Sequence, residues 1–429
     1  MSTPTATASE SGRRQAKALL TAEWRTDIVD GTMVHDELNR LQTRRLEQLA
    51  PPPPSGPDDG EALGPRPGGM VARANTLNLI AVAQTTSEAA RIDEAISYLG
   101  EFNPARALVL VADGDRPADA AGTMDVQVSL MEQPAVKERP AVTFECVTIQ
   151  AAPAAADRFA SIASSLLISE LPDFLWWPGS TISGGPLFDD LLEISDRVIV
   201  DSIAFTDPAT SLRLLAAVTA RGRGGPRVGD FTWSRLRPWR TLSAGFFDRP
   251  ESRPSLDCLE RVEISYTPGS DGAMGPTGLP AALLLTGWLA TRLGWRPTGA
   301  GLEPGRSGGY RLALRAPQPE GARYGREIVV RMRPSADPET HHAIGAVELV
   351  ARGKAPGSFK VQRLSPTALT TSSETPAVNS VGRMVVVMTP TDHEFLGFHL
   401  NSFGRNPVFE EALRFVAGIL PTTGRMTGA

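Results

Sequence analysis

Three groups of side chains in this 429-residue chain have types and spacings that chemistry could use. Asp201 and Ser202 close a short apolar run, Asp196–Ser202 (DRVIVDS). Arg235, Arg237 and Arg240 crowd around Pro238 and Trp239 in Ser234–Asp248 (SRLRPWRTLSAGFFD). Asp392, His393 and Glu394 stand together a short distance before His399. An arginine cluster beside tryptophan can hold a phosphate, a carboxylate or an acidic patch on a partner, and it can equally form internal salt bridges. Asp201 and Ser202 can meet a ligand or simply turn the chain. The Asp392–His399 group could hold a metal or a proton, but such clusters are non-specific and a solvated loop is the simpler reading. His341 and His342 are neighbours whose side chains diverge, and His35 stands apart.

Sequence motifs with a built-in mechanism are missing. Gly353-Lys354 lacks the leading glycine of a phosphate-binding loop, because position 348 is Glu. Gly222, Gly224 and Gly229 have the wrong spacing for a dinucleotide fingerprint, and neither a G-x-S-x-G elbow nor an H-E-x-x-H helix occurs. The balance tilts away from a catalyst, and no cofactor or metal is called for.

The elements that must position these residues can be read from periodicity. The least ordinary stretch is Leu171–Gly179 (LPDFLWWPG), in which Trp176 and Trp177 adjoin between an apolar run and a Pro-Gly turn. As a strand it sends the two rings to opposite faces, one into the core and the other toward a helix layer, a cleft or a partner. Both as core is the bland reading, and an interface anchor the sharper one. Around it, Thr76–Ala83, Arg106–Ala112, Thr123–Leu130, Ala141–Ile149 and Asp196–Asp201 read as strands, with helices at Ser87–Leu99, Ala154–Ser169 and Ala209–Ala220 and a short strand at Asp230–Trp233. That alternation predicts an α/β, Rossmann-like domain over 70–235 with a largely parallel sheet. Ligands meet such sheets at the carboxyl ends of strands, where Trp177, Asp201 and Ser202 would sit.

Beyond it, the pattern changes to strands at Cys258–Tyr266, Tyr310–Arg315, Glu327–Met332, Ile344–Arg352, Phe359–Leu364 and Met384–Met388. One all-apolar helix, Leu279–Leu293, and a last helix capped by Asn406-Pro407 accompany them. The expectation is an α+β domain over 236–429, an antiparallel sheet carrying a buried helix. At the other end, residues 1–14 read as a disordered tail, 15–50 as a helical segment with a break near Asp30-Gly31, and 51–69 as a Pro/Gly linker.

A net charge of −5 makes nucleic acid a poor partner. The longest apolar run, near Leu279–Leu289, is too short to span a bilayer, and Met1–Arg14 has no apolar signal core. Cys146 and Cys258 have neither metal nor redox-motif spacing and read as reduced thiols in a cytoplasmic protein.

Four stretches taken together, Leu171–Gly179, Asp196–Ser202, Ser234–Asp248 and Ala281–Trp295 (AALLLTGWLATRLGW), resemble the OpcA family. Asn75–Ile80 and Asn103–Leu110 fit the family's first strands, and the resemblance is good over roughly residues 70 to 300. It implies a non-catalytic protein whose partner is glucose-6-phosphate dehydrogenase. Binding would favour that enzyme's assembled, active oligomer and raise its apparent affinity for glucose 6-phosphate. It further implies a dehydrogenase-subunit-like C-terminal part. Cyanobacterial members are associated with redox control through C-terminal cysteines, and this chain has no cysteine after Cys258. On this view Trp176, Trp177, Asp201, Ser202, Arg235, Arg237, Trp239 and Arg240 are candidate partner-binding residues. The alternatives are a phosphosugar- or nucleotide-binding enzyme using Asp201, Ser202 and the Arg235/Arg237/Arg240 region, and a purely structural assembly factor.

Overall fold

The apolar runs become strands in the computed structural model, which describes residues 17–27, 31–49, 72–73, 75–101, 103–116, 124–134, 141–179, 182, 185–268, 278–299, 301–305, 309–317, 325–335, 343–376 and 379–421. The expected tail 1–14, the linker 51–69 and the His341-His342 pair lie outside the described residues. Two compact units emerge, residues 1–173 and 174–429.

The first unit contains β1 (Leu19–Thr26), α1 (Gly31–Leu49), β2 (Ala72–Arg73), β3 (Leu77–Ala83), α2 (Thr86–Ile96), β4 (Ala105–Ala112), β5 (Met124–Gln133), β6 (Val142–Ala151) and α3 (Phe159–Leu166). Its sheet runs β1-β5-β6-β4-β3, with β2 beside β6. β3, β4 and β6 are parallel, and β5 and β1 are added antiparallel. Every residue of β3 and β4 is buried, as parallel strands covered on both faces require.

Two expectations change here. Leu19–Thr26 is a strand where a helix was expected: its backbone pairs with β5 from Leu19↔Glu132 to Thr26↔Val126, and Thr21, Trp24 and Thr26 suit that ladder. The helix starts at Gly31, where the break was expected. The cap of α2 is Thr85 rather than Ser87; its hydroxyl accepts from the Glu88 N–H at 3.2 Å while Glu88 reaches back to the Gln84 N–H at 2.7 Å.

A buried ion pair lies within this unit. Arg106 on β4 donates from Nε to Glu145 Oε2 of β6 at 2.6 Å, and their side chains are only 3% and 0% exposed. Arg106 Nη1 also donates to Leu166 O at 3.0 Å and meets His35 Nε2 at 3.0 Å. The arginine has only hydrogens to give, so His35 Nε2 accepts, and its Nδ1–H donates to Gly31 O at 3.0 Å. Gln42 Nε2 donates to Glu145 Oε1 at 2.7 Å, so two residues of α1 read the same pair.

The second unit begins with β7 (Asp173–Trp177), α4 (Pro186–Glu193), β8 (Arg197–Val200), α5 (Pro208–Ala220), β9 (Arg227–Asp230), α6 (Phe231–Arg235) and α7 (Arg237–Gly245). β7, β8 and β9 are parallel. It continues with β10 (Leu259–Tyr266), α8 (Leu279–Arg292), β11 (Arg296–Pro297), β12 (Glu303–Pro304), β13 (Tyr310–Arg315), β14 (Glu327–Pro334), β15 (Ile344–Ala351), β16 (Gly357–Ser365), β17 (Ala368–Glu374), β18 (Asn379–Val386), α9 (Asp392–Leu400) and α10 (Pro407–Ile419). This second sheet runs β11-β13-β14-β10-β15-β16-β17-β18, with β12 beside β13; all its pairs are antiparallel except β10–β14. The fold is therefore α/β with Rossmann-like parallel strands, followed by a mixed, mostly antiparallel α+β part.

α8 is buried along nearly its whole length, as its composition predicts. It passes so close to α10 that a Cβ on Gly287 would lie 2.5 Å from Ala412 O. α10 is capped by Asn406, whose Oδ1 accepts from the Phe409 N–H at 3.1 Å, with Pro407 following. Two further expectations change. Phe231–Trp233 is helical, because Asp230 ends β9 and caps α6. β17 (ALTTSSE) went unread because its Thr and Ser side chains are half exposed and carry no apolar alternation. No described helix is long and apolar enough to cross a membrane.

Removing one member of a buried ion pair leaves the other charged and unsolvated. Arg106→Met is expected to destabilise the first unit by about 3–5 kcal/mol in urea unfolding, and Arg106→Met/Glu145→Leu to recover much of that loss. A double variant as unstable as the single one would show that shape, not charge, is what the pair supplies.

Candidate functional site

Parallel strands place their carboxyl ends on one edge, so the residues leaving β7, β8 and β9 are Trp177, Asp201 and Asp230. Asp230 Oδ1 accepts from the N–H groups of Ser202 (3.1 Å) and Thr232 (2.9 Å), and Oδ2 accepts from Ser202 Oγ (2.7 Å). Thr232 Oγ1 donates to Asp201 Oδ1 at 3.1 Å and accepts from the Ile203 N–H at 2.8 Å. Arg235, on the last turn of α6, grips Asp201 bidentately, Nη1 to Oδ1 at 2.5 Å and Nη2 to Oδ2 at 3.1 Å. Its Nη2 also lies 3.8 Å from Asp392 Oδ1, and its guanidinium sits 4.9 Å from the Phe395 ring centre. Burial pushes the Asp230 carboxyl up to about 6, against the lowering effect of its Ser202 hydrogen bonds.

α9 closes this corner. Thr391 and Glu394 form a capping box at its start, with Glu394 accepting from the Thr391 N–H at 2.7 Å, so the Asp392–Glu394 cluster is a helix cap. Among the described residues no group of three His, Cys, Asp or Glu could hold a metal. His399 is buried, stacked on Phe231 with ring centres 5.6 Å apart, and its Nε2 is 3.1 Å from Ser234 Oγ. A Cβ on Gly229 would come within 2.6 Å of His399 Nδ1, so only glycine lets β9 run this close.

A serine beside a histidine invites a nucleophile–base reading. The chemistry does not support it: burial, then the charge of Arg197, holds the His399 pKa down at about 3, and Nδ1 has no hydrogen-bond partner to orient the ring. Such an imidazole is a poor base near neutrality.

These elements wall a cleft of about 1080 Å³. Arg235, Arg237, Trp239 and Arg240 line it, as do Asp230 and His399. Arg237 is exposed, while Arg240 lies over the Trp233 ring at 3.5 Å and donates to Trp233 O at 3.1 Å. Several sequence candidates are interior. Trp176 and Trp177 are 0% and 2% exposed and pack on Phe231 (6.1 Å) and Phe188 of α4 (5.2 Å) respectively, so the opposite-face expectation holds but both rings are core rather than interface anchors. Trp239, also 2% exposed, is likewise interior. Asp201 and Ser202 are buried and held by Arg235 and Asp230, which removes them from direct contact with a partner. Asp230 itself escaped the sequence reading; Asp before Phe-Thr-Trp, right after an apolar strand, is a helix-cap signal that could have found it.

The comparisons with known proteins fit this frame. Residues 96–217 match the profile described as glucose-6-phosphate dehydrogenase subunit N-terminal domain, and residues 226–413 the corresponding C-terminal domain. The chain belongs to the OpcA family. Curated relatives carrying the name OxPP cycle protein OpcA include one from Synechocystis, 32% identical over 161 residues, which are 38% of this chain and 32% of that protein. Another, from Nostoc punctiforme, is 35% identical over the same shares, and one from Synechococcus elongatus is 30% identical over 47% of this chain and 42% of that protein. The chain thus aligns to a third or so of the length of the first two relatives, 32% in each. Among solved structures it is similar to an oxidoreductase domain protein from Kribbella flavida (14% identity, TM-score 0.38, 83% of this chain and 93% of that one). A myo-inositol dehydrogenase from Lactobacillus casei gives 11% identity and the same TM-score, over 81% of this chain and 93% of that one. Likeness at that level carries neither fold nor activity; the strand order carries the fold of this OpcA-family chain.

Both cysteines are free thiols. Burial, then the nearby Asp93 charge, pushes Cys146 up to about 12, which makes it unreactive.

The carboxyl of Asp230 keeps its proton to about pH 6 when folded, whereas its ordinary value is 3.8. Between those values the folded state binds more protons, so this group lowers stability as pH rises through the window. His399 acts oppositely: with a folded value of about 3 against 6.5, the unfolded chain protonates first and stability falls as pH drops below 6.5. Asp230→Asn keeps the acceptor for both N–H groups and removes the first effect. Its stability relative to the parent should rise by roughly 2 kcal/mol between about pH 4 and pH 7.5. Urea unfolding of both proteins across that range measures it, and a pH-independent difference would refute the assignment.

Proposed function

We propose that this protein is a non-catalytic assembly factor and allosteric activator of glucose-6-phosphate dehydrogenase, which holds the enzyme's oligomer in its active state and raises its apparent affinity for glucose 6-phosphate. The family descriptions, which name glucose-6-phosphate dehydrogenase, support this choice of partner. The observation that carries a binding role is an exposed apolar row that starts on β18, at the edge of the second sheet, and runs two residues past its end. Met384 and Val386 on β18 are 64% and 74% exposed and share one face of the strand, and Met388, just beyond it, is 84% exposed. Phe398 of α9, 56% exposed, lines the cleft together with Met388. Edge strands are usually blunted by charge, and contiguous exposed apolar side chains mark interaction surfaces. The carboxylates Asp201 and Asp230 beside the cleft are engaged with Arg235, Ser202 and Thr232, which fits support rather than turnover.

An activator must contact the active conformation better than the inactive one. Mixing the protein with the dehydrogenase from the same organism and following NADP reduction should lower the glucose 6-phosphate concentration for half-maximal rate, with a stable complex in size-exclusion chromatography. A purely structural assembly factor would speed oligomer formation and leave the assembled enzyme's kinetics unchanged. Met384→Glu/Met388→Glu should weaken the complex at least about tenfold while moving the melting temperature by no more than about 2 °C, because both side chains are solvent-facing. Undiminished binding by that variant would place the contact elsewhere.

A further inference from the structure

The cleft holds more positive charge than its own acids neutralise. Arg235 is paired with Asp201 and Asp392, and Arg405 with Glu410. Of the four others that line the cleft, Arg237 is exposed, and Arg197, Arg240 and Arg363 make no ion pair with any described carboxylate. Arg197 is 5% exposed, its Nε has no hydrogen-bond partner, and its Nη1 reaches only Gly404 O at a long 3.4 Å. Arg363 likewise has an unpartnered buried Nε, and Nη1 donates to Ser365 O and Pro366 O. Arg240 spends one donor on Trp233 O. Burial, then Arg227, lowers the Arg197 guanidinium to about 10; burial, then Arg237, does the same to Arg240. A buried cation without a counter-ion, such as Arg197, is costly, and the part-exposed Arg240 and Arg363, over the Trp233 and Trp239 rings, add two unpaired guanidinium groups to the same hollow.

We propose that this cleft binds a small phosphorylated metabolite, whose dianionic head is taken by Arg197, Arg240 and Arg363 and whose organic body lies against the apolar wall. Guanidinium groups match phosphate oxygens in a bidentate fork, and their unused N–H groups are what such a head requires. The volume, about 1080 Å³, is at the upper end of what small-ligand sites span. The depth of Arg197, at 5% exposure, favours a small anion over an acidic chain segment of a partner protein. Met388 and Phe398 border the same cleft, but binding an anion on its arginines requires no dehydrogenase, so the proposal stands or falls apart from the activator role.

The test is calorimetric titration of the full chain alone with inorganic phosphate, a hexose monophosphate and a nucleoside monophosphate, against sodium chloride at matched ionic strength and a short polyglutamate peptide. Saturable binding of at least one phosphate ester at or below about millimolar concentration is expected. Arg363→Gln and Arg240→Gln should each weaken it at least about tenfold, and Arg197→Met should abolish it. Because two of the three variants change part-exposed side chains, a folding failure in Arg197→Met would leave the other two to decide. Binding no stronger than in chloride overturns the proposal, as does binding that the variants leave unchanged. Heat from polyglutamate with none from the phosphate esters also overturns it, by showing that the cleft is a protein-docking site.

Discussion

The bidentate contact between Arg235 and Asp201 is the constraint on which the second unit's working corner depends. Asp201 is 2% exposed at the end of β8, and a carboxylate there must be neutralised or lose its charge. Arg235 meets that need from the last turn of α6, which fixes the helix over the strand ends. Thr232, on the same helix, donates to the same oxygen and accepts from Ile203, so the start of α6 is bound to the turn after β8 by three side chains. Asp230 then satisfies the N–H groups that this tight arrangement exposes. Breaking the ion pair would therefore release the strand-end turn and α6 together.

From Arg235 the constraint passes to α9. Its guanidinium stands over Phe395, while Phe231 stacks on Phe395 at 5.4 Å and on His399 at 5.6 Å. Charge and aromatic packing thus point the same way, and α9 is held along its inner face. A neutral His399 is part of this: burial and the neighbouring Arg197 charge disfavour the charged imidazole. The lowered pKa argues against the Ser234–His399 pair acting as a nucleophile with its base.

Much of this was legible in the sequence, and the rest was hidden for identifiable reasons. Buried parallel strands such as β3, β4 and β8 announce themselves as unbroken apolar runs, because both faces are covered. β1 did not, since its strand state comes from a partner more than a hundred positions away, β5, rather than from its own pattern. Asp201, Ser202 and Arg235 were each singled out, yet their mutual pairing was not readable: Asp201 and Arg235 are 34 positions apart and meet only once the strands align. The twin tryptophans were conspicuous for composition, and composition could not say whether a rare residue faces in or out. Arg197 drew no attention, because an arginine at the start of a strand is ordinary until its surroundings are seen to lack an acid.

α9 joins the two kinds of surface that the cleft brings together. Phe395 and His399 face the interior, and Phe398, on the flank of the same helix with its ring centre 5.3 Å from that of His399, is 56% exposed beside the Met388 end of the apolar ladder. A contact face mounted on an element already immobilised by a capping box, an ion pair and stacked rings has little conformational freedom left to lose when a partner docks. The same rigidity is what an activator needs, since a soft surface would adapt to the active and the inactive partner alike and discriminate between neither.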